Sequence, residues 1–206
     1  FISAFGMSLL IKSALGQSTV SALAYNLSLV SGIRTGTIVA YVNYLCLVGQ
    51  IVLLKKDFKP FQLLQLGITF VFGAMVNFFL YDFFLTANLV LADYPLQAAT
   101  FLVGIAIMAF GVALVFVADF VFLPFEGFCK LLASHLNLPF GKLRVAIDSS
   151  LVVISLVLIF TQSLPNTSIR EGTLLYALAF GFLINFFLSQ LNKMQIFQQE
   201  DQIKSS

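Results

Sequence analysis

Two runs decide the fold: FGAMVNFFL at Phe72–Leu80 and FGFLINFFL at Phe180–Leu188. Six of the nine positions are identical, including the Gly73/Gly181 and Asn77/Asn185 pairs, and the others mostly exchange one apolar residue for another. Such self-similarity marks a chain built from two copies of one unit. Working outward, the first halves of the two units align without gaps at an offset of 105: Gly6 meets Gly111, Gly36 meets Gly141, and Asn43 meets Asp148. Identity there is low, and the pattern carries the alignment. The units are residues 1–90 and 91–191, followed by a polar, Gln-rich tail at 192–206.

Composition sets the solvent. Of 206 residues, 60% are hydrophobic and 10% charged, and mean hydropathy is +1.00. A soluble domain is about a quarter charged. So few charges cannot cover a water-soluble globule, which excludes a soluble enzyme, a disordered chain and a disulfide-knitted secreted module. Apolar runs at 1–16, 33–54, 61–85, 98–120, 143–162 and 173–191 approach or reach the roughly 20 residues that cross a bilayer as helix. The runs do not alternate, as barrel strands would. The chain begins at Phe1 inside an apolar run, which reads as a trimmed start without a cleavable signal peptide.

Two intermediate segments differ. QSTVSALAYNLSLVSG at 17–32 and PFEGFCKLLASHLNLPFG at 124–141 are too short and too polar to span comfortably. Ser18 and Thr19 suit a helix N-cap, Pro124 a first turn, and Gly32 a C-cap. Both segments read as half-helices, re-entrant or lying at the interface. The expected architecture is therefore all-α: a polytopic membrane protein of six transmembrane helices plus two half-helices, in a 3+3 inverted-topology repeat. With three spans per unit the second unit must be inverted, and loop charge agrees. Lys55, Lys56, Lys59, Lys130, Lys142, Arg144, Lys193 and Lys204 fall on one face. Only Arg34 and Arg170 fall on the other, with Lys12 buried or near it. Both termini are expected on the cytoplasmic side.

Ionisable groups at bilayer depth are costly and mark function or a specific partner. Asp148, in RVAIDSSLVV, is the candidate proton or coupling-ion site. Its repeat mate Asn43 would face it near the midplane, where repeat-built transporters hold solute. Arg144, one turn before Asp148, is its candidate charge partner, and a merely structural ion pair competes with the functional role. The half-helix N-termini add unpaired N–H groups. Ser18, Thr19 and Ser21 surround one, and Glu126 sits in the first turn of the other. The candidate solute site is thus Ser18, Thr19, Ser21, Asn43, Glu126 and Asp148, with N-capping as the plain alternative for the serines, Thr19 and Glu126. Asn77 and Asn185 are expected to bond between helices. Arg34 is expected to snorkel, Asp82 and Gln50 to lie at the interface, and Lys12 to pair weakly with Asp119. Gly6, Gly36, Gly73, Gly104, Gly111, Gly141 and Gly181 are expected to permit close helix packing.

No metal-ligand spacing surrounds His135, Cys46 or Cys129, so no metal or cofactor is expected. Nucleophile elbows, zincin helices and phosphate loops are missing from the sequence, which argues against an enzyme. Nothing resembles a nucleic-acid surface. The expected partners are the lipid bilayer and a small polar or anionic solute, with a homodimer as a candidate assembly.

The stretches IKSALGQSTVSALAYNLSLVSGIRTGT, KPFQLLQLGITFVFG, FGKLRVAIDSSLVVISLVL and IREGTLLYALAFG resemble the YczE/YyaS/YitT-type bacterial integral membrane proteins. The likeness covers most of the chain apart from the tail. It rests on a Leu-Gly-x-Ser turn, a Gly-x-x-x-Gly-Thr helix start and an Arg-Val-x-x-Asp segment. Members of that family often carry Pro where Thr19 stands and Asp where Asn77 stands. The resemblance implies a multi-pass protein of the bacterial inner membrane. Function is then expected to be a small secondary transporter or exporter working by alternating access; the alternatives are a non-transporting scaffold or accessory protein, or a channel.

Overall fold

A computed structural model describes residues 1–58, 60–118 and 123–205, with residues 57 and 194–205 as backbone. All regular structure among the described residues is helical. The order is α1 (Ile2–Ser13), α2 (Thr19–Ser31), α3 (Thr35–Leu54), α4 (Leu64–Asn77), a short α5 (Phe84–Ala87), α6 (Tyr94–Val117), α7 (Pro124–His135), α8 (Phe140–Thr161) and α9 (Glu171–Ser205). A 3-10 turn at Pro60–Leu63 leads into α4, and a π-helical turn at Phe78–Asp82 extends it.

Five of these helical stretches are long and apolar enough to cross a membrane: Thr35–Leu54, Pro60–Asp82, Tyr94–Val117, Phe140–Thr161 and Glu171–Lys193. α1 is apolar too but has 12 residues. The surface is that of a membrane protein turned toward lipid. Leu45, Val52, Phe160, Leu178 and Phe182 are exposed, whereas Ser8, Gln17, Asn26, Asn43, Gln50 and Thr69 are buried. In water this distribution would leave large apolar patches and forfeit hydrogen bonds; in lipid it removes polar groups from a solvent that cannot bond them. The chain is a multi-pass helical membrane protein.

Local chemistry sets the short helices. Ser18 is extended (φ −62°, ψ 153°) and its Oγ accepts the Ser21 N–H at 3.3 Å, starting α2. Gly32 ends it in the left-handed region at φ 71°, its N–H reaching the Ser28 carbonyl. Pro124 opens α7, where the missing N–H costs nothing. Gly16, at φ 109°, makes the reversal between α1 and α2.

The most extensive contact is α1 with α6. A Cβ on Gly6 would lie 2.5 Å from the Met108 nitrogen, and one on Gly111 would lie 2.6 Å from the Ser3 nitrogen, so both glycines set how near the backbones come. Around this pair α2 packs on α8 and α7 on α3, while α4 lies mainly on α3 and α9 on α6. One core joins α1 to α4 through Met7, Ile11, Ala24, Ile38, Val76 and Leu80. A second joins α1 to α6 through Leu10, Leu15, Phe101 and Ile105, with Phe180 and Leu183 of α9 against it.

Several expectations change. Gln50 is not interfacial: it is 1% exposed, and its Nε2 donates to the Pro124 carbonyl at 2.7 Å and to Gln65 Oε1 at 3.2 Å. Arg34 forms a two-point ion pair with Asp82 (2.6 and 3.1 Å) over the Tyr81 ring rather than snorkelling alone. Lys12 Nζ donates to the Ala87 carbonyl at 2.8 Å; Asp119, its expected partner, lies outside the described residues, as does Lys59. Gly141 and Gly181 face open space instead of a neighbouring helix. The tail backbone continues α9 as helix through Ser205.

Asn77 bonds between helices as expected. Its Oδ1 accepts the Gly36 N–H at 2.8 Å and its Nδ2 donates to Thr37 Oγ1 at 2.9 Å. Asn185 is exposed, and its side chain has no hydrogen bond to a described residue. Asn77→Leu should therefore cost about 1–2 kcal/mol, read as a lower melting temperature in detergent, and Asn185→Leu close to nothing. Equal losses for the two variants would contradict the difference in their surroundings.

Candidate functional site

The sequence places two N-terminal half-helix ends and the pair Asn43/Asp148 in separate parts of the chain. The fold links them through Arg144 and the first turn of α7, with no hydrogen bond between Asn43 and Asp148. Asp148 lies eight residues into α8, about 12 Å along the helix, and Asn43 lies eight residues into α3 at the same depth. Each makes a hydrogen bond at the start of a short helix, Asn43 with α7 and Asp148 with α2. Asn43 Oδ1 accepts the Phe125 N–H at 3.2 Å, satisfying one of the unpaired amides of α7. Asp148 Oδ1 accepts from Thr19 Oγ1 at 2.6 Å, at the first residue of α2.

Arg144 ties the two ends together. Its Nε donates to Asp148 Oδ2 at 2.8 Å and one terminal nitrogen donates to Glu126 Oε2 at 2.5 Å. The guanidinium also lies 4.8 Å from the centroid of the Phe125 ring. The Arg144 and Asp148 side chains are 28% and 29% exposed, Glu126 is 51% exposed, and Asn43 is buried. Two carboxylates around one guanidinium leave one formal negative charge when all three are ionised. Glu126 lies in the first turn of α7, and Asp148 is bonded to the first residue of α2, so that charge sits near two helix N-termini, which favour it. Chemically the centre can take up a proton, hold a cation on the spare carboxylate, or present Arg144 to an anion that displaces Glu126.

Ser18 and Ser21 are nearby but serve α2: their hydroxyls bond each other at 2.7 Å and cap the helix. No hydrogen bond among the described residues joins them to Asp148, so capping accounts for their geometry. Thr19, Asn43, Glu126 and Asp148 are the expected residues that the structure assembles, with Arg144 as the partner of both acids.

Three supporting groups escape a reading of the sequence by single residues. Gln50 anchors the Pro124 carbonyl and fits against Gly127, where a Cβ would lie 2.9 Å from its Nε2. Asn26 receives Ser168 Oγ at 2.8 Å and donates to the Ser155 carbonyl at 3.4 Å, fixing α2 to α8 and its following loop. Phe125 stacks under Arg144. A signal existed for two of them: Gln50 follows Asn43, and Asn26 follows Thr19, by seven residues, which is two turns along the same face.

Two cavities lie away from this centre. One, of about 200 Å³, is lined by Lys12, Tyr25, Tyr81 and Thr167 among others. The other is apolar, about 400 Å³, between α6 and α9. The described residues hold no His/Cys/Asp/Glu cluster suited to a metal.

No curated protein and no solved structure matches the chain. One family's model matches it over residues 1–189, which takes in both units and every residue of the centre, and on that match the chain belongs to DUF6198, a family of unknown function.

Proposed function

We propose that this chain is a small secondary transporter or exporter of a polar or anionic solute, working by alternating access with its site at the interface of two inverted units. In this reading α1 is the sixth span, α2 and α7 are re-entrant half-helices, and both termini lie on the cytoplasmic side of a bacterial inner membrane. The observation that carries it is the exchange of contacts at the centre: Asn43 of one unit holds the start of α7, and Asp148 of the other holds the start of α2. Helix packing supports the repeat, since α2 on α8 and α7 on α3 are the same contact under the 105-residue offset. Discontinuous helices meeting acidic groups near midplane are where repeat-built transporters bind solute and coupling ions. Asp148 carries the proton or coupling ion, and Arg144 attracts the solute.

The direct pairing of Arg144 with both carboxylates favours one other reading, a scaffold whose centre is purely structural. Purified protein in liposomes loaded with a pH-sensitive dye separates the two. Panels of small carboxylates, inorganic anions, amino acids and nucleobases are added outside, with thermal shift run in parallel, because a ligand that binds the native state raises its melting temperature. The expected result is saturable, proton-linked flux for one class, abolished by Asp148→Asn in protein that still elutes as a folded species. Flux unchanged in Asp148→Asn removes that residue from the mechanism. Flux that does not saturate points to a channel, and no flux or shift with any class supports the scaffold.

A further inference from the structure

The two copies of the FG–NFFL run occupy different surroundings. In the first, α4 docks on α3: Gly73 lies against Gly36 and Ala40, and Asn77 accepts the Gly36 N–H while donating to Thr37. In the second, the matching face of α9 is exposed, with Ala177, Gly181, Asn185 and Ser189 at four-residue spacing. A Cβ on Gly181 would meet nothing within 4 Å, and no described residue bonds the Asn185 side chain. On α8, the counterpart of Gly36 is Gly141, which is equally open. Lys142 and Val145, the counterparts of Thr37 and Ala40, are exposed. α9 instead lies along α6.

α8 also has a vacancy of its own. Its first turn has no side-chain cap, and the Gly141 N–H, at the second helical position, has no acceptor within the helix. In α3 the equivalent N–H is the one Asn77 satisfies. An amide donor without an acceptor on α8 and an unpaired asparagine on α9 are therefore the two halves of a contact already made elsewhere in the same molecule.

We propose that α9 docks on α8 in a second conformation, with Gly181 against Gly141 and Asn185 accepting the Gly141 N–H, and that this contact is the gate over the Arg144 centre. It rests on the alternating-access reading and adds the moving part to it. Gly141 precedes Asp148 by seven residues on the same helix face, so a helix seated there covers the approach to Asp148 and Arg144. The pivot is the start of α9. There Gly172 N donates to the Leu15 carbonyl at 2.8 Å, and Ser168 of the preceding loop is bonded to Asn26. Swinging the Gly181–Ser189 end about that anchor exchanges its packing on α6, where Phe187 lies against Phe110, for packing on α8.

Cysteine cross-linking in native membranes tests this with no solute present. In a Cys46→Ala/Cys129→Ala background, Lys142→Cys/Asn185→Cys reports docking of α9 on α8, and Thr37→Cys/Asn77→Cys reports the docked pair seen in the structure. Each variant is first checked for monodisperse elution. The expected result is an intramolecular link for both pairs, with Gly181→Leu lowering the yield of the first by about fivefold, because the added side chain keeps the helices apart. A second pair, Val145→Cys/Gly181→Cys, keeps Asn185 in place and should link as well. No link from either α8–α9 pair while the α3–α4 pair links overturns the proposal. A link found only between two chains also overturns it and assigns the face to a second copy. Since no flux is measured, an intramolecular link in a protein that transports nothing would sink the transport reading and leave the docking intact.

Discussion

Arg144→Gln should destabilise the protein by about 2 kcal/mol, between the small worth of exposed ion pairs and the 3–5 kcal/mol lost when a buried one is broken. The loss has a specific cause. Without the guanidinium, Asp148 and Glu126 are left facing one another beside Phe125 with no cation between them. Removing one acid should then help: Asp148→Asn, costly by itself, should recover part of the loss in the Arg144→Gln background. A thermal or chemical double-mutant cycle should give a coupling of about 1 kcal/mol or more. A cycle that closes to zero would mean the three groups contribute independently, and the centre would cease to be a unit.

Gly6→Leu should be the most damaging single change in the helix packing, at roughly 3 kcal/mol or above, the upper end of overpacking costs. The new Cβ would sit 2.5 Å from the Met108 nitrogen and 2.8 Å from the Gly104 carbonyl oxygen. Both are backbone atoms, so no side-chain rotation relieves the clash and α1 must part from α6. Gly181→Leu is the matched control, since nothing lies within 4 Å of that position, and its melting temperature should stay within the range of ordinary surface substitutions. Folding yield and melting temperature in detergent measure both. Helix propensity favours leucine over glycine at both positions, so similar losses in the two variants would show that something other than the α1–α6 approach sets the cost.

Much of the architecture is legible in single residues because the bilayer leaves few choices. Long apolar runs must be helical, and polar groups must find partners inside. Caps are short-range chemistry, so Ser18, Gly32 and Pro124 act where their residue types suggest. The Arg144–Asp148 pair is readable for the same reason, being one turn apart on one helix. Gln50 is the instructive miss. Its place near the end of an apolar run points to the interface, yet α7 folds over it and buries it against the Pro124 carbonyl. The Asn77/Asn185 pair teaches the converse. Two residues in nearly identical sequence have different fates, because one helix found its neighbour and the other lies along α6.

By itself, then, the sequence determined the solvent, most of the helices and a few of their capped ends, and the residues unusual enough to need a reason at membrane depth. These follow from transfer energies and from hydrogen bonds a few residues long. Only the tertiary structure decided that Thr19, Asn43, Glu126, Arg144 and Asp148 are linked through one another's neighbours, and that α4 docks on α3 while α9 lies along α6. Such contacts join residues as far as 129 positions apart, and they depend on how closely two backbones approach. That distance is set at Gly6, Gly36, Gly73 and Gly111 by the whole packed molecule and is written in no local stretch of chain.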